Sequence, residues 1–220
     1  MPFGDLFWIG HSSFYIKSNN RTLYIDPFRI SSSIAQREKA DLILVTHAHF
    51  DHFSAADIEK IKKDSTLIIT STQTLSNGGN VKIARPGFKY NFEGINIEAV
   101  PAYNLKKERL SFHPKSNEWI GYVIDTGKER IYHAGDTDFI PEMKALKGID
   151  IALLPIGGTY TMGVDEAVEA AKSIDAKYAA PMHYKNLLGI EGSKAAEEKF
   201  RKSLGNALVL KEVQEPTYSF

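Results

Sequence analysis

Four potential metal ligands fall within six residues in the segment His47-Ala48-His49-Phe50-Asp51-His52. Imidazole nitrogens and carboxylate oxygens suit zinc and similar divalent ions. Polar side chains so concentrated are costly to bury unless they are paired or metal-bound. The chain has no cysteine. Disulfides and thiolate metal sites are therefore excluded, and any metal must be held by His, Asp or Glu. The bland alternative is a solvated loop that happens to be rich in histidine. The position of the quartet directly behind the apolar run Leu42–Thr46 favours metal. A complete ligand sphere needs donors from distant sequence, and two candidates stand out. Asp136 lies in His133-Ala134-Gly135-Asp136-Thr137, and His183 lies in Pro181-Met182-His183-Tyr184. Each follows a run that reads as a strand, and α/β architectures gather their sites at strand C-terminal ends.

The elements that must position these groups follow from hydropathy pattern. Leu6–Ile9, Ser13–Lys17 and Thr22–Asp26 are rich in aromatic and β-branched residues, with Asn19-Asn20 as a hairpin turn between the last two. Leu42–Thr46 and Leu67–Thr70 are short apolar runs of the kind buried on both faces. Between them the sequence predicts a helix over Ser54–Lys63, with Ser54 as N-cap and Asp57 three residues on. Gly78-Gly79-Asn80 marks a turn, and strands are expected near Val81–Ala84 and Ile95–Val100. Residues 101–118 show no period and contain two prolines, which predicts a long functional loop. Trp119–Asp125 and Glu129–His133 form a hairpin around Thr126-Gly127-Lys128. Later come a strand over Ile149–Leu154, a helix over Val164–Ile174, a strand over Tyr178–Pro181, a helix over Ser193–Ser203 and a last strand over Ala207–Leu210. Hairpins first and alternating strands and helices later suit two packed sheets with helices outside.

Composition narrows the partners. With 27 basic and 27 acidic residues the formal net charge is zero, so no global field recruits nucleic acid or an anionic membrane. No apolar stretch approaches the roughly 20 residues that span a bilayer. Met1-Pro2-Phe3-Gly4-Asp5 does not read as a signal peptide. The expectation is a single domain over residues 1–220, cytoplasmic, acting on a small-molecule substrate. No phosphate-binding Gly-Lys-Ser/Thr pattern occurs.

The motifs His47-x-His49-x-Asp51-His52, Gly135-Asp136-Thr137 and Pro181-Met182-His183, with Trp8-Ile9-Gly10-His11-Ser12-Ser13, resemble the metallo-β-lactamase superfamily. They look most like its lactonase and phosphodiesterase-type branch, close to the ascorbate-6-phosphate lactonases. The resemblance covers nearly the whole chain. It implies an α/β fold, a four-layer αββα sandwich, with the site at one edge of the two sheets. It further implies that His47 and His49 hold a first metal. Asp51, His52 and His183 would hold a second, with Asp136 bridging. A metal-bound hydroxide would then cleave a lactone, ester or phosphodiester. Zinc is the expected ion, with manganese, iron or nickel suited to the same ligands.

One departure matters. The family supplies a further His to the first metal, but the corresponding stretch here is Val100-Pro101-Ala102-Tyr103-Asn104. His113 is the expected substitute, as ligand or as substrate contact. His11 is expected to support the site or face substrate, and Asp51 to manage a proton as well as bind metal. Asp26 either orients a ligand histidine or merely forms a turn. His133 is expected to serve a structural hydrogen bond. Lys106, Lys107, Arg109 and Lys115 either receive an anionic substrate or are simply solvated. Gly157 and Gly158 either admit the backbone close to substrate or make a turn. The rival readings are a non-catalytic metal-binding module, which the missing His keeps alive, a redox protein and a metal-dependent nuclease.

Overall fold

The computed structural model describes residues 3, 5–72 and 80–214. The chain forms two compact units, one running to Ala84 and taking back the segment from Lys211, the other spanning Arg85–Leu210.

The first unit carries a six-stranded mixed sheet in the order β1-β2-β3-β4-β5-β6. Strands β1 (Leu6–Gly10), β2 (Ser13–Ser18) and β3 (Arg21–Ile25) form an antiparallel meander. Asn19 and Asn20 both have positive φ, as a two-residue hairpin turn demands, and Asn tolerates that region. Strands β4 (Leu42–Val45), β5 (Leu67–Thr70) and β6 (Val81–Ile83) then add in parallel. Every residue of β4 is buried, as its unbroken apolar run predicts. Helix α1 (Ser32–Arg37) is a single short element, too brief to show a period in the sequence. Helix α2 (Ala55–Ile61) begins where expected, with Ser54 Oγ accepting from the Asp57 amide. Ile34, Ile58 and Ile61 of the two helices pack with Tyr15, Tyr24, Ile43 and Val45 in one core.

The second unit carries a six-stranded mixed sheet in the order β12-β11-β10-β9-β8-β7. Strands β7 (Lys89–Phe92), β8 (Ile95–Pro101), β9 (Ile120–Asp125) and β10 (Arg130–His133) are antiparallel, and β11 (Ile151–Pro155) and β12 (Tyr178–Met182) join in parallel. Helix α3 (Val164–Ile174) connects β11 to β12 and buries Ala167, Val168, Ala171 and Ile174, one stripe at helical spacing. Helix α4 (Lys185–Ser203) follows, broken at Gly189.

Several expectations are corrected. Strand β7 was not anticipated, because a four-residue edge strand with Lys89 and Asn91 exposed carries little pattern. The last helix starts at Lys185 rather than Ser193, because the turn before Gly189 is too short to register as a helix in the sequence. Ala207–Leu210 is not a strand. It makes one bridge, Ala207 beside Ala179, and then leaves the sheet edge. The turn expected at Gly78-Gly79 lies outside the described residues. No helix among the described residues is long and apolar enough to cross a membrane.

Candidate metal centre

In the first unit the end of β4 runs straight into the His47–His52 segment. The amides of His52 and Phe53 both bond to the His49 carbonyl, which curls the segment into a tight turn ahead of the Ser54 cap. His47 and His52 are buried. The group that organises them is Asp26, fully buried just after β3 with φ 46°. Its carboxylate accepts from the Thr46 amide at 2.7 Å, from Thr46 Oγ1 at 2.7 Å and from His52 Nδ1 at 2.7 Å.

These bonds determine tautomers. A neutral His52 that donates Nδ1–H to a carboxylate carries its lone pair on Nε2. Thr46 has one hydroxyl proton, and Asp26 takes it. Its oxygen, 2.9 Å from His47 Nδ1, therefore accepts from that nitrogen, which again puts the lone pair on Nε2. His47 Nε2 stands 3.2 Å from His49 Nδ1. Two nitrogens bound at ~2.0–2.1 Å to one tetrahedral ion sit roughly 3.3 Å apart, so the pair is spaced as co-ligands. His11, at φ 52° in the turn after β1, places Nε2 3.0 Å from Asp51 Oδ2. Ligand atoms of His11, Asp51 and His52 lie within 4.8 Å of one another.

In the second unit three donors meet. His183 Nε2 lies 3.0 Å and His113 Nε2 3.3 Å from the same atom, Asp136 Oδ2. All three residues are buried. Glycine decides two of these placements. A Cβ on Gly157 would lie 2.5 Å from the His183 carbonyl oxygen, and one on Gly121 would lie 2.6 Å from the His133 carbonyl oxygen. Neither contact is possible for a larger residue, so the segment after β11 can approach the end of β12, and β9 the end of β10, only through glycine. Gly157 thus serves packing around His183. His133 plays the structural part expected of it, its Nδ1 accepting from the Gly135 amide at 3.2 Å.

The expected long loop is folded inward, with Ala102, Tyr103, Asn104, Arg109 and His113 all buried. Asn104 stands in the stretch noted for lacking a histidine, and it holds the histidine that is there. Its Nδ2 donates to Asp138 Oδ1 at 3.0 Å and to the Tyr160 carbonyl at 3.1 Å, so its Oδ1, 2.7 Å away, accepts from His113 Nδ1. His113 therefore has its lone pair on Nε2, aimed at Asp136. Asp138 in turn accepts the amides of Leu105 and Lys106 at 2.8 Å and 2.9 Å.

Of the loop cations, Lys106, Lys107 and Lys115 are exposed, and only Arg109 is withdrawn from solvent. Arg109 is 3% exposed; its Nε lies 3.1 Å from Asp138, and its Nη2 donates to both Glu166 oxygens at 2.9 Å and 2.8 Å. It also bonds the Thr161 carbonyl. Lys106 pairs with Glu166, and Lys115 with Glu142. A buried carboxylate demands a charge partner, and Arg109 supplies one to Asp138. Burial pushes the Glu166 carboxyl up, but hydrogen bonds from Arg109, Lys106 and the Gly163 amide outweigh it and hold the group below the usual glutamate range. Asp138, Asn104 and Thr46 escaped the sequence reading as positioning groups, Asn104 and Thr46 because nothing in their spacing marks them. Asp138, two residues after Asp136, was the one with a usable signal.

The family model for the beta-lactamase superfamily domain matches residues 5–183. The chain belongs to the metallo-β-lactamase superfamily. Its fold is that of the superfamily, α/β with two mixed sheets flanked by helices. A UPF0173 metal-dependent hydrolase of Thermoplasma volcanium is 37% identical over 225 residues, covering 96% of this chain and 97% of the relative. One from Thermus thermophilus is 34% identical over 80% of this chain and 82% of its own length. Among solved structures, a chain from Parabacteroides distasonis is 32% identical with a TM-score of 0.83, covering 95% of this chain and 93% of that one. A metallo hydrolase from Ignicoccus hospitalis is 25% identical with a TM-score of 0.76, covering 96% and 95%.

Proposed function

We propose that this superfamily member is a metal-dependent hydrolase that holds its metal through the histidines and aspartates described above. His47, His49, Asp51, His52, Asp136 and His183 are the proposed ligands of one or two zinc ions, and His113 takes the place of the histidine missing at Asn104. The observation that carries the reading is the tautomers. His47, His52 and His113 each have Nδ1 tied to an oxygen, of Thr46, Asp26 and Asn104, so each offers Nε2 as a donor. The donor chemistry fits a divalent ion, since nitrogen and carboxylate oxygen without thiolate suit zinc, manganese, iron or nickel.

When bound, the ion supplies an activated water near neutral pH and polarises the scissile group. The chain's own residues do the rest. Asp26 and Asn104 hold imidazole rings in one tautomer. Asp51 Oδ2 is the group placed to take a proton from the nucleophile, and His11 Nε2 holds that oxygen from 3.0 Å. The proposed substrate is a small lactone, ester or phosphodiester. Arg109, buried on Asp138 and Glu166, is not among the groups available to that substrate.

Metal content and turnover test the reading together. The protein, metal-free and zinc-loaded, is assayed on a lactone panel, aryl esters and bis-p-nitrophenyl phosphate. Zinc-dependent turnover is expected, with His47→Ala and His183→Ala each lowering zinc content. Retained zinc without turnover on any substrate would make the protein a metal-binding module. Unchanged zinc content in both variants would overturn the ligand assignment.

A further inference from the structure

A cavity of about 390 Å³ lies in the second unit against β8 and β10 and the 3₁₀ turn Pro141–Ala145. That volume is in the range of small-molecule sites. None of its lining residues belongs to the proposed metal centre. Arg130 and Tyr132 alternate with Ile131 and His133 along β10, so the two share the face that meets the cavity. Tyr132 is fully buried, and among the described residues its hydroxyl has no hydrogen-bond partner. Arg130 Nε is likewise buried without one, and the Arg130 guanidinium makes no ion pair among the described residues.

The acids around the cavity are already engaged. Glu98 lies 3.5 Å from Lys89. Glu142 lies 3.2 Å from Lys115 and bonds the Tyr103 hydroxyl. Asp125, opposite Arg130 in β9, accepts the Gly127 amide. Lys147 adds a further cation to the lining, also without an ion pair among the described residues. Burial pushes the Tyr132 phenol well above its ordinary range, so it remains a donor. Two residues with buried donors that no protein group satisfies therefore line one cavity, and Ile140, Met143 and Leu146 give the same cavity an apolar wall.

We propose that this cavity binds a small organic carboxylate with an apolar body, the carboxylate received by Arg130 and Tyr132 and the body by Ile140, Met143 and Leu146. A guanidinium and a phenol suit the two oxygens of one carboxylate. Neither donor has a role in the fold that requires it. The site stands apart from the hydrolase reading and survives or fails without it.

The test is calorimetric titration of the zinc-loaded full chain with benzoate, benzamide and phenyl phosphate, repeated on Arg130→Met and Tyr132→Phe. Saturable benzoate binding at about a millimolar or tighter is expected for a ligand of this size. Arg130→Met should weaken it at least ~10-fold and Tyr132→Phe roughly 3–10-fold, the range of a lost charged or polar contact. Benzamide should bind at least ~10-fold more weakly than benzoate, because it brings no charge to Arg130. Tyr132→Phe should melt within about 2 °C of wild type, since its hydroxyl bonds no protein group. The proposal is overturned if benzoate does not bind, if phenyl phosphate binds while benzoate does not, or if Arg130→Met leaves benzoate affinity unchanged. The last result would place benzoate at the metal centre instead.

Discussion

Replacing Arg109 with methionine removes the guanidinium that ties the inward-folded loop to the start of α3. The cost can be worked from its partners. Breaking a buried ion pair from one side costs about 3–5 kcal/mol, because a buried charge is left behind. Asp138 would be that charge, since its side chain is only 2% exposed. It keeps three other donors, Asn104 Nδ2 and the amides of Leu105 and Lys106, which puts the loss at the low end. Glu166 is 21% exposed and keeps Lys106, so it adds little. The expected total is about 3 kcal/mol. For a chain of this length that lowers the melting temperature by roughly 6–12 °C. The pH dependence has a definite sign. Glu166 is held below the usual glutamate range in the folded protein. Its contribution is therefore present above the unfolded pKa of ~4.3 and is lost as pH falls through the lower folded value. The difference between the melting temperatures of wild type and Arg109→Met should be largest near neutrality, and the share of it owed to Glu166 should disappear as pH falls through that lowered value. A variant that melts within 2 °C of wild type at pH 7 would refute the argument that this network is a buried, stabilising one.

Three further outcomes follow from the same structure. Asn104→Ala removes the acceptor that holds His113 Nδ1; zinc affinity, measured by competition with a chelator, should fall about 10–100-fold while the fold persists, and unchanged affinity would dismiss Asn104 as a positioning residue. Asp26→Asn leaves one oxygen for the three donors of Thr46 and His52; stability should drop by about 2 kcal/mol or more, with zinc affinity lowered as well, as denaturant titration and chelator competition would show. Gly157→Ala places a Cβ 2.5 Å from the His183 carbonyl oxygen; a loss of roughly 1–3 kcal/mol is expected, read as a shifted urea midpoint with unchanged slope.

What the sequence determined by itself was everything a local pattern can carry. The unbroken run of β4, the Ser54 cap of α2, the stripe of α3 and the Asn19-Asn20 turn each follow from residues within a few positions of one another. The His47–His52 segment belongs with them, because four potential ligands so close together need no folding argument to be noticed. The absence of cysteine excluded thiolate sites in the same direct way.

Tertiary structure alone decided which distant groups these patterns meet. His133 and Asp136 look equally chemical in the sequence, yet one bonds its own turn and the other meets His113 and His183. Arg109 carries no mark that distinguishes it from Lys107, and only the closing of the loop on Asp138 and Glu166 buries it. Asn104 entered the sequence reading as a missing histidine and proves to hold the histidine nine residues on. Short-range periodicity records which face of an element is apolar. It records nothing of the partner a polar side chain finds after an irregular loop closes, because that pairing depends on where the rest of the chain has already packed.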